Sequence, residues 1–219
     1  MNPIVLIPAR MAATRLPGKP LANIGGVPMI VRVLRQAQAA GVGPVAVAAG
    51  DAEIVAAVEA AGGRAVLTDP DLPSGSDRIV AALGELDPQG RHDVVINLQG
   101  DIPFVRPDAV AAVARLLEAQ PTCDLSTVMV AEADRTERTN PDIPKVVAAM
   151  EPDGRSARAL YSPAQCSMAT GRSGCTTGSM ASAVRRWSGS APRRRRRWSA
   201  GSGWSNCARW SSACRSGRR

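Results

Sequence analysis

Arg10, Arg15 and Lys19 lie within a short segment, residues 9–20, directly behind an apolar run. Ala9, Ala12 and Ala13 surround them, and Gly18 immediately precedes the lysine. Small residues let backbone N–H groups approach an anion closely, as in a phosphate nest. Guanidinium and ammonium groups add charge-assisted donors that suit a polyphosphate. The Walker A pattern is absent, so the segment is not a P-loop, and a solvated basic loop has the same composition. A second candidate is Asp101, which follows Gln99 and Gly100 at the end of another apolar run. A carboxylate there, facing a basic loop, is where Mg²⁺ would be held between protein and phosphates. A helix or turn cap would use the same residue. The segment Ser74, Gly75, Ser76, Asp77 and Arg78 is expected both to start a helix, capped by Ser76 or Asp77, and to contribute to a pocket. His92 is the only histidine and precedes a strand beside Gly90 and Arg91. It is expected on a surface loop, which leaves histidine acid–base chemistry without a candidate.

The elements that must position these residues follow from hydrophobic periodicity. Residues 5–7, 45–48, 64–68 and 93–98 are short apolar runs that predict buried strands. Residues 28–40, 51–61, 76–86 and 107–118 predict helices. In the first of these Ile30, Val33, Leu34 and Ala37 share a face, and Asp51 stands where it could cap the second. Strands alternating with helices predict an α/β fold with a mostly parallel sheet and flanking helices. Ligands of such sheets sit outside the carboxyl ends of strands. That rule selects the loops after Ile7, Leu67 and Leu98, and predicts one pocket shared by Arg15, Lys19, Ser74 and Asp101.

Composition breaks near residue 162. Residues 162–219 contain no Asp, Glu, Leu or Ile, yet hold all four Trp, four of the five Cys and twelve Arg. With 27 basic and 19 acidic residues in all, removing those twelve leaves 15 against 19, so residues 1–161 carry about −4 and the remainder +12. Residues 1–161 are long enough for one domain with its own core. Their start lacks the basic segment of a secretory leader, and no apolar stretch reaches the roughly 18 residues of a membrane span. One cysteine in this part, Cys123, predicts a buried structural thiol rather than a disulfide framework, and a cytoplasmic location.

Taken in order, several segments resemble the 3-deoxy-manno-octulosonate cytidylyltransferases (CMP-Kdo synthetases). These are Ile7 to Arg10, Arg15 to Leu21, and Gly26 to Ile30. Ser74 to Arg78 is similar to that family's S-G-T-D-R, and Asn97 to Phe104 to its N-x-Q-G-D-x-P-F/L. Asn140 to Asp142 with Lys145 to Val147 resembles its later N-P-N-x-V-K. The resemblance implies a nucleotide-diphospho-sugar transferase (Rossmann-like) fold. It also implies transfer of CMP from CTP to the acid sugar Kdo, with Mg²⁺ and release of pyrophosphate, for lipopolysaccharide biosynthesis. Arg15 and Lys19 would hold the β and γ phosphates with Ala9 and Arg10 close by. Asp101 would bind Mg²⁺, and the Ser74–Gly75 turn would lie near the nucleotide. Gln99 and Arg78 would face the sugar. A homodimer is implied for the family, with no nucleic-acid or membrane partner. A sugar-acid enzyme of the CMP-sialic acid type is the nearest alternative, and the Ser74 and Gln99 loops favour Kdo.

Residues 162–219 do not continue that resemblance as written. An Arg-rich, low-complexity segment could bind nucleic acid. A one-base coding shift near Ser162 accounts for more. One base earlier, every Trp or Cys codon becomes a Leu, Val or Met codon. Residues 204–211 then read L-E-Q-L-R-A-L-E, which has the apolar spacing of an amphipathic helix. Residues 169–190 can read G-D-G-P-L-W-L-H-H-G-I-Y-G-V-R-R-A-P-L-E-R-F, in which family-like segments recur in order. The expected organisation is therefore a C-terminally incomplete nucleotidyltransferase core over 1–161 and an out-of-frame, irregular basic tail over 162–219. The family's H-H-I-G-x-Y segment and a second Mg²⁺ carboxylate would be lost, along with catalytic activity.

Overall fold

Ile4, Val5, Leu6 and Ile7 are all essentially inaccessible to solvent. A strand buried on both faces reads as a continuous apolar run, and it belongs in the middle of a parallel sheet. The computed structural model describes residues 1–12, 16–131, 145–152, 156–161, 173–177, 181–185 and 206–210. The buried run forms β1 (Pro3–Ala9), followed by a small hairpin of β2 (Asn23–Ile24) and β3 (Val27–Pro28). Then come α1 (Met29–Ala39), β4 (Val45–Ala49), α2 (Ala52–Ala60), β5 (Ala65–Leu67), α3 (Gly75–Leu86), β6 (Val94–Leu98) and α4 (Pro107–Ala119). The later strands are β7 (Leu125–Ala131), β8 (Lys145–Met150), β9 (Ser156–Tyr161), β10 (Ser173–Thr177), β11 (Ala181–Arg185) and β12 (Asn206–Trp210).

The four parallel strands run in the order β6-β1-β4-β5. Val5 and Ile7 point to one face, into a core shared with Ile30, Val33 and Leu34 of α1 and with Val110 and Val113 of α4. Ile4 and Leu6 point to the other, where Ile79, Ala82 and Leu86 of α3 cover them. The period of two along β1 thus produces a sheet with helices on both sides. The helical face expected from Ile30, Val33, Leu34 and Ala37 is fully buried. No helix among the described residues is long and apolar enough to cross a membrane.

Beyond β6 the sheet is mixed, in the order β10-β8-β9-β12-β7-β11-β6, and only β12 against β7 is parallel. Here two expectations are corrected. The first is irregular backbone throughout 162–219, because β10, β11 and β12 all fall within that range. β11 lies antiparallel between β6 and β7, with Ala181 and Ala183 buried in the main core. A segment without large aliphatic residues builds no core of its own. Alternating alanines can still enter an existing one, since two strand edges offer it backbone partners. Side chains add to the seat: Arg185 Nε donates to the Cys123 carbonyl at 3.0 Å and Nη2 to the Leu117 carbonyl, while Thr127 Oγ1 donates to the Ala181 carbonyl at 3.0 Å. The second correction concerns Cys123, which is buried but disulfide-bonded rather than a free thiol. Asn140, Pro141 and Asp142 lie outside the described residues.

Ala183 is fully buried, so Ala183→Asp is expected to place an unpaired carboxylate in the core and cost about 3 kcal/mol or more. Chemical denaturation of the full chain measures it. Unchanged stability would show that β11 does not occupy this slot.

Candidate functional site

Parallel strands all end at one edge, and there β1, β5 and β6 deliver the loops selected from the sequence. Beyond β1 the chain passes through Arg10 to Met11, whose carbonyl accepts from the Gly18 amide at 3.1 Å. That bond closes the neck of a loop of which residues 13–15 lie outside those described, Arg15 among them. Gly18 has φ 71 and ψ 6, the left-handed region that glycine enters without steric cost. The chain then turns through a short 3₁₀ segment, Lys19–Leu21, with Pro20 buried and fixing its start. Lys19 Nζ thereby reaches Asp101 Oδ2 at 2.9 Å, although the two residues are 82 positions apart.

Asp101 sits just beyond β6. Gly100 is required beside it by space: a Cβ would lie 2.7 Å from the Pro8 carbonyl oxygen at the end of β1. Ser74 starts α3, where its hydroxyl accepts from the Asp77 amide at 3.1 Å and donates to Asp77 Oδ2 at 2.6 Å. The cap is therefore Ser74, and the assignment to Ser76 or Asp77 is corrected. Around these elements lies a cleft of about 450 Å³, lined in part by Ala9, Arg10, Lys19, Ser74, Gly75, Gln99 and Asp101. That size suits a small-molecule ligand. Of the four residues predicted to share one pocket, Lys19, Ser74 and Asp101 line this cleft, and Arg15 lies outside the described residues.

Arg78, which the resemblance assigns to the sugar, is 2% exposed and backs the cleft wall. Nη1 donates to Thr68 Oγ1 at 2.5 Å and to the Asp69 carbonyl at 3.0 Å, and Nη2 to the Pro70 carbonyl at 3.2 Å. Burial and the nearby Arg10 hold the guanidinium below its ordinary pKa, against the opposing pull of Asp51 and Asp69. A guanidinium remains charged at neutral pH even so, and its carbonyl partners are what make burial tolerable.

By its place in the sequence Asp51 could cap α2. It occupies the cap position but makes no side-chain cap bond; its Oδ2 instead accepts from the Met11 amide at 2.7 Å. The strand-end rule would have found this residue had the loop after β4 been included with the other three. His92 is half-buried in the loop before β6, with Nδ1 3.2 Å from the Asn2 carbonyl, at the opposite end of that strand from Asp101.

Lys19 and Asp101 are both partly exposed, and such a pair contributes about 0–1 kcal/mol. An anion that attracts Lys19, or a cation that attracts Asp101, can separate them at little cost. Among the described residues there is no group of three or more His, Cys, Asp or Glu able to hold a metal ion. The donor set is one carboxylate beside a basic loop, which fits a hard cation held jointly with a ligand's phosphates rather than in an all-protein cage.

The family model described as cytidylyltransferase matches residues 4–163. A 3-deoxy-manno-octulosonate cytidylyltransferase of Rhodospirillum rubrum is 55% identical over 159 residues, 73% of this chain and 63% of that protein. One from Rhodopseudomonas palustris is 58% identical over 158 residues, 72% and 63% respectively. The chain thus spans somewhat less than two thirds of the length of these curated relatives. Among solved structures, CMP:2-keto-3-deoxy-manno-octonic acid synthetase complexed with CTP aligns with TM-score 0.73 and 33% identity, over 84% of this chain and 74% of that one. A 4-diphosphocytidyl-2C-methyl-D-erythritol synthase of Anaerococcus prevotii shares the fold alone, with TM-score 0.54 at 14% identity.

If the cleft is a polyphosphate site, Lys19→Met weakens binding of inorganic tripolyphosphate by about tenfold or more through loss of a charge-assisted contact. Calorimetric titration of the full chain measures it. Equal affinity in both proteins would mean the basic loop is merely solvated.

Proposed function

The chain belongs to the cytidylyltransferase family, and we propose that residues 1–161 are the nucleotide-binding core of a 3-deoxy-manno-octulosonate cytidylyltransferase. The reaction is CTP plus Kdo giving CMP-Kdo and pyrophosphate, a step of lipopolysaccharide biosynthesis that takes place in the cytoplasm. The observation that carries this is the meeting of Lys19 and Asp101 in one cleft with Arg10 and the Ser74–Gly75 turn. A cation for phosphate and a carboxylate for metal are the two charges a nucleoside triphosphate brings together.

In this reaction the Kdo hydroxyl attacks the α-phosphorus. A new P–O bond forms as the bond to the β-phosphate oxygen breaks, and pyrophosphate leaves with the electron pair. The hydroxyl proton is lost in the same conversion. The chain contributes mainly position and charge. Lys19 exchanges Asp101 for the departing phosphates, and Arg10 adds positive charge at the same cleft; the family resemblance assigns Arg15 to the β and γ phosphates as well. Asp101, freed from Lys19, is the residue that would hold Mg²⁺. When bound, Mg²⁺ neutralises phosphate charge and polarises the phosphoryl oxygens. Gln99, exposed at the cleft rim, faces the sugar. Arg78 holds the wall behind the nucleotide.

Residues 162–219 are read as out of frame. They contain no Asp, Glu or His, so they offer neither a second carboxylate for metal nor a histidine for the sugar. The seating of β11 shows that some of this segment adds backbone to the sheet, but backbone alone does not supply that chemistry.

The expected outcome is that the chain as written binds nucleotide without turning it over, while a chain with the frame restored from Ser162 makes CMP-Kdo. Pyrophosphate release from CTP, Kdo and Mg²⁺ is expected to differ by at least about a hundredfold, since small misplacement of reacting groups already costs that much. Comparable rates would overturn the out-of-frame assignment.

A further inference from the structure

We infer that Gly50 and Asp51 form a joint that sets both cleft-lining loops at once, with Asp51 a positioning residue acting through the Met11 amide. The inference rests on the nucleotide-site reading above and assigns Asp51 no substrate contact. Gly50 and Asp51 lie between β4 and α2, and they grip the chain on either side of Arg10. The Gly50 amide donates to the Ala9 carbonyl at 2.9 Å, and the Met11 amide donates to Asp51 Oδ2 at 2.7 Å. Arg10 is therefore fixed by its neighbours' backbone, while its own side chain stays exposed at the cleft.

The same two residues meet the other loop. A Cβ on Gly50 would lie 2.8 Å from Arg78 Nη1, 3.1 Å from its Cζ and 3.2 Å from Arg10 Cβ. The Arg78 guanidinium thus lies against the glycine, and any side chain there would displace it. Arg78 in turn holds Thr68 and the Asp69 and Pro70 carbonyls. The Thr68 amide and hydroxyl both donate to the Ala49 carbonyl, at 2.7 and 2.8 Å. Residues 49–51 therefore bind the start of the phosphate loop on one side and the approach to Ser74 on the other. Asp51, with Asp69, also offsets the charge of the buried Arg78, against the opposing effect of burial and Arg10.

Helix capping is the competing role for an aspartate here, and the geometry separates the two. Asp51 has cap backbone angles, φ −140 and ψ 141, yet makes no side-chain cap bond. Serine is a good cap, but its hydroxyl is too short to replace the carboxylate at Met11. Asp51→Ser should therefore keep the stability of α2 and lose the anchor, whereas Asp51→Asn keeps an acceptor that reaches Met11. The test compares the full chain with these two variants by Mg²⁺–CTP titration, amide exchange at Met11 and thermal midpoint. Expected for Asp51→Ser are faster Met11 exchange, an unchanged midpoint and CTP affinity lower by about tenfold or more, with Asp51→Asn within about threefold of the parent, because one anchoring hydrogen bond fixes the loop. Unchanged Met11 exchange in Asp51→Ser overturns the inference whatever happens to affinity. Parent-like CTP affinity in Asp51→Ser overturns it too. If the parent itself does not bind CTP, the functional proposal fails, and exchange at Met11 alone decides this one: faster in Asp51→Ser but not in Asp51→Asn upholds the anchor, and any other pattern overturns it.

Discussion

Ala9 lies opposite Ala49, and Leu6 opposite Asn97, in the parallel register of β1 with β4 and β6. From that register the site follows. Three strands side by side in the same direction deliver the loops that follow them to a common edge. The Lys19 loop, the Gly50–Asp51 turn and the Gln99–Asp101 turn therefore meet without any long-range device beyond sheet pairing. The register is held in turn by burial. Val5 and Ile7 pack under α1 and α4, Ile4 and Leu6 under α3, and a slip of one residue would exchange those faces.

Charge then does what geometry prepares. Lys19 and Asp101, the two opposite charges of the cleft, lie against one another at 2.9 Å. In a half-exposed setting their mutual attraction is small, so they are held ready rather than locked. The buried charge of Arg78 has the opposite character. It is enclosed, fully supplied with carbonyl and hydroxyl acceptors, and serves as structure. Similar residue types, all placed on cleft walls, thus divide by exposure: Lys19 is open to the cleft, whereas Arg78 is enclosed and holds the wall together.

Much of this was legible in the sequence because its signals are local. Apolar runs and helical faces located β1, α1, β4, α2, α3, β6 and α4 to within a few residues, and the strand-end rule picked loops that do converge. What stayed illegible was non-local. Asp51 carries the local signature of a helix cap, and nothing in its neighbourhood reveals an acceptor role toward Met11, 40 residues earlier. Arg78 sits in a motif whose family resemblance implies a sugar contact; only the fold brings Thr68, Asp69 and Pro70 around it. β11 was missed because its composition was judged for a core of its own, whereas Ala181 and Ala183 enter one already built by α4 and β6. Cys123 likewise gave no local sign that it is disulfide-bonded.

Under the function proposed above, a nucleotide and a divalent cation occupy this cleft together, each drawing one member of the Lys19–Asp101 pair. Titration of CTP into the full chain, with and without Mg²⁺, tests it most directly. Measurable CTP binding is expected, strengthened several-fold by Mg²⁺ through roughly 1 kcal/mol or more of coupling. CTP binding indifferent to Mg²⁺, or no binding under either condition, would contradict it.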